Sequence, residues 1–483
     1  MHFVRACPDC FCIFVGVYYT KLTGKDSEMN MQMDQKITAF LNANRDPIFA
    51  DVDRLLRHDS VTGEPKPGAP FGQEIKDTID EMLAICAAHG LKTRNIDGMI
   101  GEAVWGDGEQ SLGVITHMDI VPVGSGWTKP ALQLTVEDGM MFGRGVTDDK
   151  GPAVASLWAL LAALHAGAVI NKRIVFLFGG DEETSMRCAK RYLETEQAPD
   201  MSFSPDASFP GIFCEKTISS GALSVAVPAG SSLKEISGGT RTNVVPGEAS
   251  ALLSVKPDGP HPDGITVLPE DDGWLIKAAG TPAHAMVPEK GDNAIVKLLG
   301  ALITLLPAGD PAVPGVSALH RLCAAIDGSG FGIACRDDVS GALTFNLGVI
   351  RLAGGSLEAR FDIRHPVYVD AEANILRTLP AAAAAQGVTA SGIAISPGFC
   401  IPKDHVLCKT LTGVYNQING TNDDPEAIGG GTYARKLPNA MAFGMLFPDD
   451  PETAHMADER ISVESFMKAA RIFANAIAEL GQA

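Results

Sequence analysis

The chain has 483 residues, 46% of them apolar and 20% charged. That is enough apolar content for sizeable cores, and it excludes a disordered or solvating protein. Its 39 basic and 58 acidic residues leave a net charge of −19, which disfavours nucleic acid and anionic membrane surfaces as partners but not divalent cations.

Residues 1–28 read as an ill-ordered or mis-started extension, with the folded protein beginning near Met29. Cys7, Cys10 and Cys12 cluster there, yet no second Cys/His pair follows at the spacing of a zinc site. The apolar stretch Cys10–Tyr19 lacks a small-residue cleavage site and is too short to span a bilayer. From Cys86 onward the cysteines are scattered, as expected of reduced, buried thiols in a cytosolic protein rather than of a disulfide framework.

Residues 34–57 and 73–89 carry apolar residues at helical spacing, and Gly90 suits the second as a C-cap. A strand is predicted within 111–121 and a strand pair within 132–145. From Gly151 a strongly amphipathic helix is expected, opening with Pro152 in its first turn and closing at Gly167. The near-continuous apolar run at 172–180 reads as a buried parallel strand, and 184–195 as a helix. Such alternation is α/β organisation. Between about 217 and 396 short alternating segments dominate (222–228, 249–257, 273–280, 356–366), with helices at 291–306 and near 370–386, which is the pattern of an inserted α+β unit. After Pro397 the α/β texture returns: a helix near 404–418, a strand in 439–447, and a closing helix capped by Ser462. The expected organisation is a catalytic unit of 29–216 plus 397–483, and an insert of 217–396.

Acidic and histidine residues fall just after the strands of the first unit. His117 and Asp119 share one face of a strand at i, i+2. Asp148 and Asp149 stand side by side at a strand-to-helix junction. Asp181, Glu182 and Glu183 follow the buried strand at the edge where open α/β sheets bind ligands. Taken singly, each cluster also fits a solvated loop or a helix N-terminus, while Asp206 and His455 read as an ordinary turn residue and an ordinary surface or core histidine. Taken together they suit borderline divalent ions such as Zn²⁺, Mn²⁺ or Co²⁺, with donors enough for two.

The segments THMDIVPVGSGW, GRGVTDDKGP, GGDEET, SPDASFP, AGTPAHAMVPEKGDNAI and GGGTYARKLPNAMAFGMLFPDDPETAHMADERI together resemble the di-zinc family of aminoacylase, carnosinase and carboxypeptidase G. Within it they are most similar to the peptidase V branch of bacterial dipeptidases. The resemblance runs from about residue 30 to the end. It implies a di-metal exopeptidase-type α/β domain, a mixed twisted sheet flanked by helices, carrying a large α+β lid.

By that resemblance His117 and Asp206 would hold one metal ion, Glu183 and His455 the other, and Asp148 would bridge both, with its peptide bond to Asp149 cis. Asp119 would orient His117, and Glu182 would be the general base. From the lid, His284 would donate to the developing oxyanion, assisted by Asn243. Arg364 would bind a terminal carboxylate with the backbone of Gly430, Gly431 and Thr432. The function implied is a cytoplasmic, monomeric, metal-dependent dipeptidase, Zn²⁺ being the first choice of cofactor, with the lid supplying what a second subunit supplies in shorter relatives. A deacylase or carboxypeptidase acting on N-acyl amino acids is the alternative within the family, and an inactive binding or scaffold protein the alternative outside it.

Overall fold

The computed structural model describes residues 24–257 and 261–482. The cysteine cluster at Cys7–Cys12 lies outside the described residues, and the first helix, Gly24–Ala43, starts a little before the expected Met29. The helical pattern at 34–57 is broken: a second helix runs from Arg45 to Leu56. At the break, the Asn44 side-chain amide donates back to the Phe40 carbonyl at 2.8 Å. The third helix, Gln73–Ala88, closes through Gly90, whose φ is +85°.

Buried apolar residues form two separate clusters. One draws on Ile37–Cys214 and Ile401–Leu480, the other on Leu223–Val388. The first surrounds a nine-stranded mixed sheet. From one edge its order is Lys92–Ile96, Ile100–Trp105, Arg173–Gly179, Ser111–His117, Met201–Ser204, Ala440–Ala442, Ile212–Glu215 and Phe399–Cys400, with Glu426–Ile428 also on Ile212–Glu215. Strands Arg173–Gly179, Ser111–His117, Met201–Ser204 and Ala440–Ala442 are parallel neighbours. Parallel strands are covered on both faces, which is why 173–179 is apolar almost throughout. The opening hairpin, 92–105, was missed in the sequence because its first strand is half exposed and polar.

The helix Lys150–Ala166 corrects one expectation. It is not amphipathic: nearly every residue is buried, because it packs against the sheet, the N-terminal helices and the closing helix Val463–Gln482 at once. A helix covered all round needs an apolar surface all round. The closing helix keeps its expected cap, Ser462 Oγ accepting from the Ser465 N–H at 2.8 Å.

The second cluster underlies an eight-stranded sheet ordered Ile265–Glu270, Gly273–Ala279, Glu248–Leu253, Leu233–Gly238, Thr344–Ala353, Ser356–His365, Thr217–Ala226, Thr389–Ser396, all neighbours antiparallel. Helices Ala294–Leu305 and Val313–Cys323 cover it; the second was not foreseen. The chain crosses between the two sheets at Lys216 and again at Pro397–Gly398. Cys214 and Cys400 flank these crossings in antiparallel register and pair as a disulfide, a correction to the expectation that all later thiols are unpaired. Their separation of 186 residues hides a partnership that only strand register creates. Among the described residues no helix is long and apolar enough to cross a membrane.

Candidate active site

The parallel strands of the first sheet end together, and the candidate residues hang from those ends. His117 is the last residue of its strand; Asp181, Glu182 and Glu183 follow Gly179; Asp206 follows Ser204. Asp148 immediately precedes the buried helix 150–166, and its peptide bond to Asp149 is cis. His455 arrives from the C-terminal segment in the left-handed backbone region, φ +64°, a conformation uncommon outside glycine that clusters at functional sites.

One carboxylate organises the group. Asp148 Oδ1 lies 2.9 Å from His117 Nε2, while its Oδ2 lies 2.9 Å from His455 Nε2. His455 Nε2 is also 2.9 Å from Glu183 Oε1, and His117 Nε2 is 3.8 Å from Asp206 Oδ2. Two imidazoles therefore face the two oxygens of a single acid, each with a further carboxylate of its own. All five candidate metal ligands converge.

Electrostatics mark the cluster as incomplete without cations. Burial pushes the Asp206 carboxyl up to about 7, reinforced by the neighbouring Asp148 charge. Glu182 is raised by burial and by Asp206. Burial also works to raise Asp148, but hydrogen bonds with His117 and His455 overcome it and hold the group low. His455 is raised to about 10 by its bonds to Asp148 and Glu183. Among the described residues the Asp206 carboxylate receives no hydrogen bond, and His117 Nε2 stands 3.8 Å away. Asp149 Oδ1 is buried with no partner. Buried acids in this number need paired charge, and two imidazoles with several carboxylates form a donor set that fits divalent ions.

Asp119 does more than orient a ring. His117 Nδ1 lies 3.0 Å from the Asp119 backbone oxygen and 3.5 Å from its Oδ1. The carboxylate itself accepts the Glu182 N–H at 3.1 Å and the Glu183 N–H at 3.0 Å. One buried side chain thus holds the backbone of both acids. The third acid of that run, Asp181, turns away and binds Arg187 through both oxygens at 2.7 and 2.8 Å.

A cavity of about 400 Å³ opens beside Glu182, lined also by Asn243, His284, Arg364, Gly430, Gly431, Arg435 and Lys436. It joins the end of the first sheet to the inserted unit. His284 Nδ1 accepts from the Met286 N–H at 3.1 Å, so in the neutral ring the proton sits on Nε2, available as a donor. Burial, with the Arg364 charge, favours that neutral form. Arg364 pairs with Asp362 at 2.6 and 3.0 Å and donates to the Gly429 carbonyl at 2.7 Å. Thr432 departs from expectation. Its N–H and hydroxyl both donate to Glu215 Oε1, at 3.0 and 2.6 Å, so its amide is committed to the protein and does not line the cavity.

Sequence reasoning missed several contributors. Asp149 joins the acid cluster, accepting the His117 N–H at 3.0 Å, and the Asp-Asp pair was its visible signal. Glu459 is fully buried and receives Arg144 at 2.6 Å and the N–H groups of Gly145 and Thr147 at 3.0 and 2.9 Å. It fixes the loop before Asp148 to the segment carrying His455, and nothing local announced it. Arg435 and Lys436 also line the cavity, and sequence reasoning gave them no role. A second cavity of about 650 Å³ lies in the inserted unit among Arg241, Lys277 and Arg351, away from the acid cluster.

Comparison with known proteins places this architecture. A Bacillus subtilis (strain 168) protein named "Putative dipeptidase YtjP" is 33% identical over 464 residues, covering 91% of this chain and 98% of its own. A Staphylococcus saprophyticus protein named "Putative dipeptidase SSP1012" is 30% identical, covering 90% and 97%. The solved structure of human carnosine dipeptidase 1 superposes with a TM-score of 0.57 at 14% identity, over 93% of this chain and 99% of that one. This last likeness is one of fold. The model of peptidase family M20/M25/M40 matches residues 113–479, and with the full-length relatives it shows that the chain belongs to that family.

Proposed function

We propose that the protein is a metal-dependent dipeptidase that cleaves dipeptides, and short tripeptides, bearing a free amino terminus and a free carboxylate. The observation that carries this reading is the Asp148 carboxylate, which turns one oxygen to His117 and the other to His455 at 2.9 Å each. That arrangement supports His117 and Asp206 as ligands of one ion, Glu183 and His455 as ligands of a second, and Asp148 as shared by both. Zinc suits these donors; manganese or cobalt fit the same set. When bound, such ions would polarise a scissile carbonyl and lower the pKa of a nearby water.

The remaining work falls to the chain's own residues. Glu182, held by Asp119 through its backbone, takes the proton of the attacking water and returns it to the leaving amine. His284 Nε2–H donates to the developing oxyanion, with Asn243 beside it. Arg364 offers the outer edge of its guanidinium to the substrate carboxylate, and the backbone of Gly430 and Gly431 completes that end. The unit 217–396 acts as the lid and excludes longer chains. Because this lid contributes His284 and Arg364 within one chain, the enzyme works as a monomer. Five of the seven described cysteines are free thiols, which favours a cytoplasmic site of action, although the Cys214–Cys400 pair weighs against it.

The test compares a dipeptide, its N-acetyl form and its C-terminal amide, with chelated enzyme and after restoring Zn²⁺ or Mn²⁺. Metal-dependent cleavage of the free dipeptide alone is expected. Preference for the N-acetyl form would move the enzyme to deacylase chemistry, and no cleavage with any metal would leave a binding protein.

A further inference from the structure

The cavity beside Glu182 carries more positive charge than one terminal carboxylate requires. Two of its three cationic side chains are already balanced. Arg364 holds Asp362 through two hydrogen bonds of 2.6 and 3.0 Å. Arg435 faces Glu215 at 3.6 Å and spends its Nη2 on the carbonyls of Lys216, Ser396 and Pro397 at 3.2, 3.3 and 3.0 Å. Lys436 is different. It lines the same cavity and is half-buried, yet no carboxylate or carbonyl among the described residues lies within hydrogen-bond reach of its ammonium. Burial and the Arg435 charge press against its protonated form, and the carboxylates of Glu182 and Glu215, beyond hydrogen-bond reach, offset them only in part. A lysine with no function at such a position is free to turn its flexible stem to water; a wall position with no carboxylate in contact fits a charge that is completed by a ligand.

The cavity's direction says which part of a ligand arrives there. Glu182 lines it, but none of the five candidate metal ligands does. It therefore extends from the base on the side away from the metal cluster. On the dipeptidase reading, on which this inference rests, that side receives the leaving amino acid: Glu182 protonates its amine and Arg364 takes its α-carboxylate. The side chain of the same residue shares this compartment with Lys436.

We propose that Lys436 selects dipeptides whose C-terminal residue is acidic, its ammonium pairing with the side-chain carboxylate of aspartate or glutamate. The experiment measures kcat and KM for Ala-Asp, Ala-Asn, Ala-Lys, Asp-Ala and Asn-Ala with the metal-loaded wild type and with Lys436→Met, Lys436→Arg and Lys436→Glu. The wild type should prefer Ala-Asp to Ala-Asn by about ten-fold or more, mainly through KM, as expected for one hydrogen bond to a charged group away from bulk water. Lys436→Met should erase that preference, Lys436→Arg keep most of it, and Lys436→Glu turn it toward Ala-Lys, with the Asp-Ala to Asn-Ala ratio unmoved throughout. Equal handling of Ala-Asp and Ala-Asn by the wild type overturns the proposal. So does a preference that survives Lys436→Met, or one confined to the N-terminal residue. Failure to cleave any of the five peptides removes the dipeptidase reading itself, whereas unbiased cleavage leaves that reading standing and removes only the role of Lys436.

Discussion

Asp119→Asn keeps the shape of a side chain that holds two catalytic-edge amides and changes only its charge and one acceptor. In the wild type Oδ1 accepts the Glu182 N–H at 3.1 Å and Oδ2 the Glu183 N–H at 3.0 Å, in a fully buried setting. An asparagine can still accept one of these, but without charge assistance that bond weakens by about 1 kcal/mol. Its amide group meets the other N–H donor to donor, leaving a buried hydrogen unsatisfied at a cost of about 1–3 kcal/mol. The sum, about 2–4 kcal/mol, corresponds to about 30- to 900-fold in kcat/KM if all of it appears as misplacement of Glu182 in the transition state. The assay is kcat/KM on a free dipeptide at saturating Zn²⁺, with metal content and thermal midpoint measured on the same preparations. Metal content should fall little, because the His117 ring lies closer to the Asp119 backbone oxygen, at 3.0 Å, than to its carboxylate, at 3.5 Å. A variant whose kcat/KM stays within about two-fold of wild type refutes the reasoning, as does a loss that tracks metal content alone.

Glu182→Gln should lower kcat by about 10²–10⁴-fold at unchanged metal content, measured by elemental analysis beside the rate. Arg364→Ala should raise KM for the free dipeptide much more than for its C-terminal amide, and should also destabilise the fold by about 3–5 kcal/mol in denaturant, since it leaves Asp362 buried without its partner. Chelation should lower the thermal midpoint reversibly, because Asp148, Glu183 and Asp206 crowd together and ions bound only by the folded state stabilise it; an unchanged midpoint would remove the metal cluster from the argument. Burial pushes Glu215 up to about 7 against the opposing Arg435 charge. The unfolded chain thus releases this proton at lower pH than the folded one, and stability falls as pH rises from the ordinary glutamate range toward 7. Denaturant titrations at both ends of that window should show a smaller fall for Glu215→Gln than for wild type, and equal falls would contradict it.

How much of this was legible in the sequence depends on the range over which each feature is determined. Acids placed directly after apolar strands were readable because both facts are local: a covered parallel strand needs an apolar run, and a carboxylate at its end has no part in the core. Thus the groups His117 with Asp119, Asp148 with Asp149, and Asp181 to Glu183 stood out from their neighbours, whereas Asp206 and His455 were singled out only by the family resemblance. Features fixed by pairing across the chain were not readable. Glu459 reaches back to Arg144, Gly145 and Thr147, and Cys214 meets Cys400 only because two short strands share a register. The helix 150–166 was recognised but its environment was misjudged, since its apolar face extends all round and periodicity cannot say how many layers will cover it. The strand in 439–447 is likewise divided into Ala440–Ala442 and Met445–Leu446, with Gly444 between them at φ +80°, where a Cβ would come within 2.5 Å of the Phe209 ring.

The same long-range logic ties the lid to the proposed carboxylate end of the site. Glu215 stands on the last strand before the first crossing into the lid, and it holds Thr432 at the end of the glycine run. Arg435, one 3₁₀ turn later, faces Glu215 and donates to carbonyls on both crossings. At Gly431 a Cβ would lie 2.3 Å from Arg435 Nη1, so any side chain there would displace the guanidinium from this position. The glycine loop and the two strands that carry the lid therefore share one buried carboxylate and one guanidinium. A displacement of the lid that broke the Arg435 contacts would remove the charge that opposes the burial of Glu215, whose carboxyl would then take up a proton. The position of the lid and the shape of the glycine loop are for that reason set together, and His284 and Arg364 line one cavity with Glu182 within a single chain.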